Sequence, residues 1–267
     1  MTNKFRLIKI VIFFLFFICL AGRLSAQDFS VYKKKEFVFK GDTMPYRLLL
    51  PEHYEQGKKY PMILFLHGSG EKGNDNAKQL VHGGTLFLRD SLRKKYPAIV
   101  LIPQCPQKSN WVDDKRIKDS AGKYILIMAP HLKPTAAMVV LQKLVKNIIR
   151  NYPVNKKQLY VGGLSLGGMG TYDIVKRNPK LFVAAFPMCG AVDAVAAPKY
   201  KHVNWWIFHG ANDRNVSPEF DKNLVYDMQQ INIPVKYTLY PNTGHGCWDK
   251  AFDEPNLFNW MFANIKK

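Results

Sequence analysis

The chain has 267 residues, of which 47% are hydrophobic and 22% charged, an ordinary composition for a folded globular protein. It carries 39 Lys and Arg against 20 Asp and Glu, a formal net charge of +19 at neutral pH. This balance excludes a disordered chain and leaves enough length for a core that needs no disulfide. The basic residues are spread along the chain without interleaved aromatics, so we expect no nucleic-acid partner. We interpret the charge as a solvated surface, with attraction to an anionic polysaccharide or lipid as the alternative.

The first 26 residues follow the order of a secretory signal peptide. Basic residues precede an apolar run at 10–21, and small residues lead to a cleavage site near Ala26. Because the run is short for a bilayer span, we expect cleavage and no stable membrane insertion, with a retained membrane anchor as the alternative. Lipid attachment at Cys19 is not favoured, since the preceding residues form a poor lipoprotein box. Cleavage removes four basic and no acidic residues, leaving +15 on a secreted or periplasmic chain that begins at Gln27.

The remaining chain, 27–267, is predicted to form one catalytic α/β domain. It opens with a β-hairpin, 31–39 and 46–50, around Gly41 and Asp42. Further strands are predicted at 62–66, 98–102, 159–161, 182–188, 205–208 and 235–240. Helices are predicted at 135–150, 167–177, 218–230 and 254–265. Strands that are apolar throughout are typical of a sheet buried on both faces, so we predict a doubly wound, mostly parallel sheet flanked by helices.

The segment 105–134 has no clear periodicity and is the longest irregular stretch. It leaves the carboxyl end of a predicted strand, the edge where such sheets place their sites. We therefore predict an active-site loop or small cap. Trp111 within it is either a wall of the substrate cleft or a packed side chain.

Ser165 lies within the sequence Gly-Leu-Ser-Leu-Gly, after a predicted strand and before a predicted helix. A serine on such a sharp turn needs small neighbours, because its backbone is strained and the chain packs closely on both sides. The turn lifts the hydroxyl out of the sheet, and the following helix directs its N-terminal N–H groups toward a developing oxyanion. Ser165 is the predicted nucleophile.

A serine nucleophile needs a base and an orienting carboxylate. His245 follows the last predicted strand on a glycine-flanked loop and is the predicted base. Asp213 follows the penultimate strand and is the predicted acid, with Asp193, one strand earlier, as the rival. The order serine, aspartate, histidine along the chain is that of α/β-hydrolases.

The oxyanion hole is expected to combine the N–H of Leu166 with that of Gly68 or Ser69. Leu166 follows the predicted nucleophile, and the other two follow the strand 62–66. The glycine motif at 82–84 is a rival, but no strand precedes it.

Three cysteines remain after the predicted cleavage: Cys105, Cys189 and Cys247. The odd number means that at least one is free or pairs between chains, in a compartment that permits disulfides. The sequence leaves the pairing open; Cys105 with Cys247 is our working expectation. No Cys-x-x-Cys, zinc-protease or nucleotide-binding motif is present, so we expect no metal and no cofactor.

Five motifs in a fixed order resemble the α/β-hydrolase superfamily, in its branch of secreted bacterial esterases. That branch includes predicted peptidases, polyhydroxybutyrate-depolymerase-like proteins, and feruloyl and acetyl-xylan esterases. The motifs lie at 66–76, 103–106 with Trp111, 163–171, 208–213, and 244–245 followed by Trp248. The resemblance covers the chain from about residue 46 onward. It departs from the usual pattern at Lys72, where relatives more often carry arginine, and in the length of 105–134.

The resemblance implies hydrolysis of carboxylic esters through an acyl-enzyme on Ser165. Acetyl or feruloyl groups on a polysaccharide or oligosaccharide are the implied substrates, with Trp111 and Trp248 as candidate contacts. One alternative is a serine peptidase of the same fold, although 27–46 is too short for the gating domain that such peptidases usually carry. Another is a non-catalytic relative that binds polysaccharide, against which the complete set of catalytic residue types argues. The oligomeric state stays open.

Overall fold

The computed structural model describes residues 28–118, 120, 124–128 and 133–267. The predicted signal peptide, including Cys19 and Ala26, lies outside the described residues. The chain divides into two units, Met1–Ser30 and Val31–Lys267. In the described part of the first unit, the backbone N–H and the hydroxyl of Ser30 both donate to the Asp28 carboxylate at 2.8 Å.

The second unit is built on an eight-stranded sheet with the order β1-β2-β4-β3-β7-β8-β9-β10. Its strands are β1 Lys33–Phe39, β2 Asp42–Leu49, β3 Tyr60–Leu66, β4 Ile99–Pro103, β7 Val154–Leu164, β8 Ala184–Met188, β9 Asn204–Gly210 and β10 Val235–Tyr240. β2 pairs antiparallel with β1 and with β4, and all other neighbours are parallel. The predicted mostly parallel sheet with an opening hairpin is confirmed.

Burial explains why the central strands are apolar throughout. Every residue of β4 and β8 is buried, as are all but one residue of β3. Helices cover both faces of such a sheet, so no position of a central strand faces water. The edge strand β1 instead alternates between exposed and partly buried positions.

Six α-helices lie among the described residues: α1 Asp90–Lys95, α2 Ala136–Asn151, α3 Leu166–Arg177, α4 Glu219–Gln230, α5 Trp248–Phe252 and α6 Leu257–Ala263. α2 begins at an N-cap, because the Thr135 hydroxyl accepts from the Met138 N–H at 3.0 Å. The predicted helix 254–265 is shorter than expected, and α1 and α5 were not predicted. No helix of the described part is long and apolar enough to cross a membrane.

The segment predicted as irregular, 105–134, contains a small sheet of its own. Strands β5 Lys115–Lys118 and β6 Tyr124–Ile127 pair antiparallel. The start of the segment is tied down by Lys72, whose ammonium group donates to the Ser109 carbonyl at 3.1 Å and to the Asn110 side chain at 2.8 Å. These two bonds hold the beginning of the insertion beside the loop that follows β3.

Candidate active site

Ser165 lies on a strained turn between β7 and α3. Its φ and ψ are 54° and −118°, a conformation that residues with a side chain rarely adopt. The Ser165 N–H donates to the Met188 carbonyl at 2.9 Å, and its own carbonyl accepts from the Met169 N–H at 3.0 Å. The neighbouring strand β8 and the first turn of α3 therefore hold the serine from both sides.

Close backbone contact explains the glycine at position 167. A Cβ added there would lie 2.0 Å from the Leu66 carbonyl oxygen and 2.6 Å from that of His67. At Gly163 an added Cβ would lie 2.5 Å from the Gly167 carbonyl oxygen. The serine turn thus packs directly on the end of β3, which brings the loop after β3 beside the serine.

The structure brings the predicted nucleophile, base and acid together. The Nε2 atom of His245 lies 2.8 Å from the Ser165 hydroxyl oxygen, and its Nδ1 lies 2.7 Å from Oδ2 of Asp213. The other carboxylate oxygen of Asp213 accepts from the N–H groups of Asn215 at 2.8 Å and Val216 at 3.0 Å. Asp213 is therefore fixed by backbone donors while it faces the imidazole.

The loops that carry Asp213 and His245 are joined by backbone contacts at the carboxyl edge of the sheet. The Asn212 N–H donates to the Thr243 carbonyl at 2.9 Å. A Cβ added at Gly210 would lie 2.2 Å from the Gly244 carbonyl oxygen, so only glycine allows this approach. The rival acid Asp193 serves a different purpose: it caps a short 3₁₀ helix, Ala194–Tyr200, by accepting from the Val195 N–H at 3.0 Å.

Burial and hydrogen bonding act in opposite directions on Asp213. Burial raises the pKa of its carboxyl group, but hydrogen bonds from His209, His245 and the Val216 N–H outweigh burial and hold the pKa well below its usual range. Asp213 is therefore a carboxylate throughout the neutral range, as an orienting acid must be.

The predicted oxyanion donors occupy neighbouring strand ends. Leu166 is the first residue of α3, and Gly68 and Ser69 follow β3, which pairs with β7. A Cβ at Gly68 would lie 2.9 Å from the Leu164 side chain, so the loop after β3 rests on the end of β7. The two predicted sources of N–H donors are thus adjacent in the fold.

Buried side chains hold the loop after β3 in place. The Nδ1–H of His67 donates to the Gly68 carbonyl at 2.6 Å, and its Nε2 accepts from the Cys105 N–H at 2.9 Å. Burial lowers the pKa of His67 to about 4, so the ring is neutral. The indole N–H of Trp111 donates to the His67 carbonyl at 3.1 Å. Trp111 is fully buried and packs on Gly170, so it is a packed side chain and not a wall of the substrate cleft.

The disulfide differs from our working expectation. Cys189 pairs with Cys247, and Cys105 is free and buried. Location explains the pairing. Cys105 lies beside His67, which is on the loop after β3. Cys189 follows β8, and Cys247 lies two residues after His245. The Cys189 sulfur lies 2.9 Å from the His245 carbonyl oxygen. The disulfide therefore anchors the His245 loop to the end of β8.

A model of the Esterase family matches residues 39–245, which is most of the chain. The chain belongs to the Esterase family. The match includes Ser165, Asp213 and His245 and agrees with the expected α/β-hydrolase type of esterase. No curated protein sequence matches the chain.

Solved structures show the same fold for this esterase. It is similar to a thermostable esterase at 28% identity and a TM-score of 0.79, covering 88% of this chain but 64% of that one. A CE1 ferulic acid esterase from Anaeromyces mucronatus, in complex with ferulic acid, is 15% identical with a TM-score of 0.62, over 87% and 90% of the two chains. A puromycin-hydrolyzing peptidase from Mycobacterium tuberculosis is 11% identical with a TM-score of 0.62, over 88% of this chain and 42% of that one.

Glu71 and His82 lie near the site of this esterase but were not among the predicted site residues. Glu71 is almost fully buried, and its carboxylate lies 3.9 Å from Nδ1 of His67 and 3.7 Å from Nε2 of His82. Burial raises the pKa of Glu71 above its usual value. The partly exposed Trp248 contacts the rings of both His82 and His245, at centroid distances of 5.3 and 5.5 Å. Glu71 lies within the motif 66–76, and His82 begins the glycine motif at 82–84, so both stood in segments that the sequence had marked.

One group of potential metal ligands in the described residues overlaps the site. Ligand atoms of Cys189, Asp213 and His245 lie within 4.8 Å of one another. The Cys189 sulfur is bonded to that of Cys247 and therefore offers no thiolate. The carboxylate of Asp213 already faces the imidazole of His245. The donor set fits a hydrogen-bonded serine site better than a metal site.

Proposed function

We propose that this member of the Esterase family hydrolyses carboxylic esters through an acyl-enzyme on Ser165. The observation that carries the proposal is the continuous chain from Asp213 through His245 to Ser165, at 2.7 and 2.8 Å, with the serine on a strained turn. Each residue follows a different strand of one sheet, so the scaffold holds the three groups in place before substrate binds.

In the proposed reaction, the Ser165 oxygen attacks the ester carbonyl while Nε2 of His245 takes its proton. Asp213 accepts from Nδ1–H, which keeps the proton-accepting nitrogen toward the serine and stabilises the imidazolium that forms. The N–H of Leu166, with that of Gly68 or Ser69, donates to the oxyanion. His245 then gives its proton to the leaving alcohol. Water, activated by the same imidazole, releases the acid and restores Ser165.

Acetyl or feruloyl groups on a polysaccharide or oligosaccharide are the proposed substrates. The support is the motif set shared with carbohydrate esterases and the structural likeness to a ferulic acid esterase. Trp248 is the proposed contact for the sugar or aromatic ring, because it is partly exposed and its ring lies against that of His245. We also propose that the protein is exported, with residues 1–26 removed. The mass of the mature protein from its producing cells tests the cleavage.

p-Nitrophenyl acetate tests the chemistry. Wild type is expected to hydrolyse it with a burst, and Ser165→Ala to lose activity by about 10⁴-fold or more. A fluorophosphonate probe should label Ser165 in wild type and not in the variant. Equal turnover in the two proteins would contradict the nucleophile assignment and leave the polysaccharide-binding alternative.

A substrate panel separates esterase from peptidase activity. Acetylated xylan, feruloylated arabinoxylan and short peptides are incubated with wild type and Ser165→Ala, and the released acetate, ferulate and amines are measured. Serine-dependent release of acetate or ferulate supports the esterase. Peptides are included because the chain is also similar to a puromycin-hydrolyzing peptidase. Serine-dependent release of amines alone would favour the peptidase.

A further inference from the structure

His209 is a fully buried residue near the end of β9 with acceptors at both ring nitrogens. Its Nδ1 lies 2.7 Å from Oδ2 of Asp221. Its Nε2 lies 3.1 Å from the Val216 carbonyl oxygen and 3.2 Å from Oδ2 of Asp213. Carboxylates and carbonyls only accept hydrogen bonds, so each nitrogen must carry a proton. With both carboxyl groups ionised, this geometry requires an imidazolium.

Each neighbouring carboxyl group also accepts hydrogen bonds from other donors. One oxygen of Asp213 accepts two backbone N–H bonds and the other faces His245 and His209. Asp221, on α4, accepts from the Tyr172 hydroxyl at 2.6 Å through its other oxygen. Hydrogen bonds donated to a carboxyl group favour its ionised form.

Two tyrosines, Tyr172 and Tyr237, interact with Asp221 and stay neutral. Burial raises the pKa of Tyr172 on α3 well above its usual value, and burial also raises that of Tyr237 on β10, with Asp221 adding to both. For His209 itself, burial lowers the pKa, but the bonds to Asp213 and Asp221 outweigh burial and raise it to about 10.

We propose that His209 is a positioning residue of the catalytic site: its imidazolium shares Oδ2 of Asp213 with His245, fixes that carboxylate and draws part of its charge away from the catalytic imidazole. Because His209 balances part of the Asp213 charge, the charged form of His245 gains less from Asp213 than it would beside an unshared carboxylate. The inference rests on the proposed function only in assigning His245 as the base. The charge on His209 is independent of it.

Two variants and a matched control test the proposal through the pH dependence of kcat/KM for p-nitrophenyl acetate. His209→Gln leaves both carboxylates without their cation. The acid limb, the pH range in which kcat/KM falls as pH is lowered, should therefore move to higher pH by about one unit or more. The double variant His209→Gln/Asp221→Asn removes the unpaired carboxylate and should lie between wild type and His209→Gln. His202→Gln, an exposed histidine, should leave the limb unchanged. A lower kcat with an unmoved acid limb in both variants would overturn the proposal.

Ring ¹⁵N chemical shifts of His209 in wild type at pH 8 provide a test that needs no folded variant and no activity. Two protonated nitrogens are expected, whereas one protonated and one unprotonated nitrogen would overturn the proposal. If p-nitrophenyl acetate is not hydrolysed through Ser165, the proposed function fails, while these shifts still decide whether His209 is the cation beside Asp213.

Discussion

The indole N–H of Trp111 donates to the carbonyl oxygen of His67 across 44 residues of chain, at 3.1 Å. His67 begins the loop that carries Gly68 and Ser69, the proposed second source of oxyanion donors. The segment 105–134 is therefore connected to this loop through the buried side chain of Trp111, which no substrate reaches.

Trp111→Phe should lower both stability and turnover. The substitution leaves the buried His67 carbonyl without this donor, which costs about 1–3 kcal/mol in the free energy of unfolding. If the loop shifts, transition-state stabilisation falls and kcat falls with it. Denaturant unfolding and p-nitrophenyl acetate kinetics measure the two effects. Trp206→Phe is the matched control, because it deletes a partly buried indole hydrogen bond of 3.0 Å to the Thr238 hydroxyl in the sheet. An equal change of kcat in the two variants would argue against the loop effect.

Two buried histidines should give stability a maximum near pH 6.5. The native pKa of His67 is about 4, so the unfolded chain binds more protons between pH 4 and 6.5, and stability falls as pH is lowered through this window. The native pKa of His209 is about 10, so its contribution is complete below pH 6.5 and is lost as pH rises toward 10. Each effect is on the order of a few kcal/mol.

Thermal unfolding between pH 4 and 10 checks this maximum with two variants that serve as each other's control. His67→Gln should flatten the acid side of the profile, and His209→Gln should flatten the alkaline side. A change on the same side in both variants would contradict the assigned charges.

Removing the disulfide should loosen the His245 loop. Cys189→Ser/Cys247→Ser opens a connection across 58 residues, which costs about 4 kcal/mol in the loop-entropy estimate. Turnover should fall as well. The loop keeps His245 at hydrogen-bond distance from Ser165 only while it is anchored to β8. Calorimetry and kinetics of the oxidised and reduced wild type test the same bond without substitution.

Cys105→Ala is the control for the disulfide variant, because it removes a cysteine that does not belong to the disulfide. Burial raises the pKa of the Cys105 thiol to about 12, so a thiol reagent should not modify it in the native protein. Full activity of the reduced wild type would show that the loop keeps its geometry without the bond.

Gly167→Ala should prevent the serine turn from forming. An added Cβ would overlap the Leu66 carbonyl, and backbone on both sides cannot move without separating β3 from α3. We expect loss of soluble, folded protein, measured by expression yield and circular dichroism. Gly70→Ala is the control, because open space surrounds that position. Normal folding of Gly167→Ala would mean that the turn is less tightly packed than described.

The strand pattern and the convergence of the three candidate catalytic residues could be predicted because each rests on a local signal. Continuous apolar runs mark buried strands, and Ser165, Asp213 and His245 each lie on the turn or loop that follows one of them. Parallel strands collect their carboxyl ends at one edge, so local position was enough to bring distant residues together.

Pairings between distant segments could not be predicted in the same way. The partner of Cys247 depends on which strand end lies beside the His245 loop, and no local pattern encodes that distance. The burial of Trp111 depends on Gly170 of α3, and the charge of His209 depends on Asp221 of α4. Helix α1 was missed because none of its six residues is buried, which leaves no apolar periodicity to detect.

The exposed edge strand β1 gives the lysine cluster Lys33–Lys35 a role that needs no ligand. An unpaired strand edge can pair with the edge of another molecule, and the first step of β-aggregation is such a contact. Lysines on β1 place like charges at the approaching edge of a second copy, so their mutual repulsion opposes that pairing. Part of the basic character of this protein thus opposes edge-to-edge pairing of its sheet with that of a second copy at high concentration.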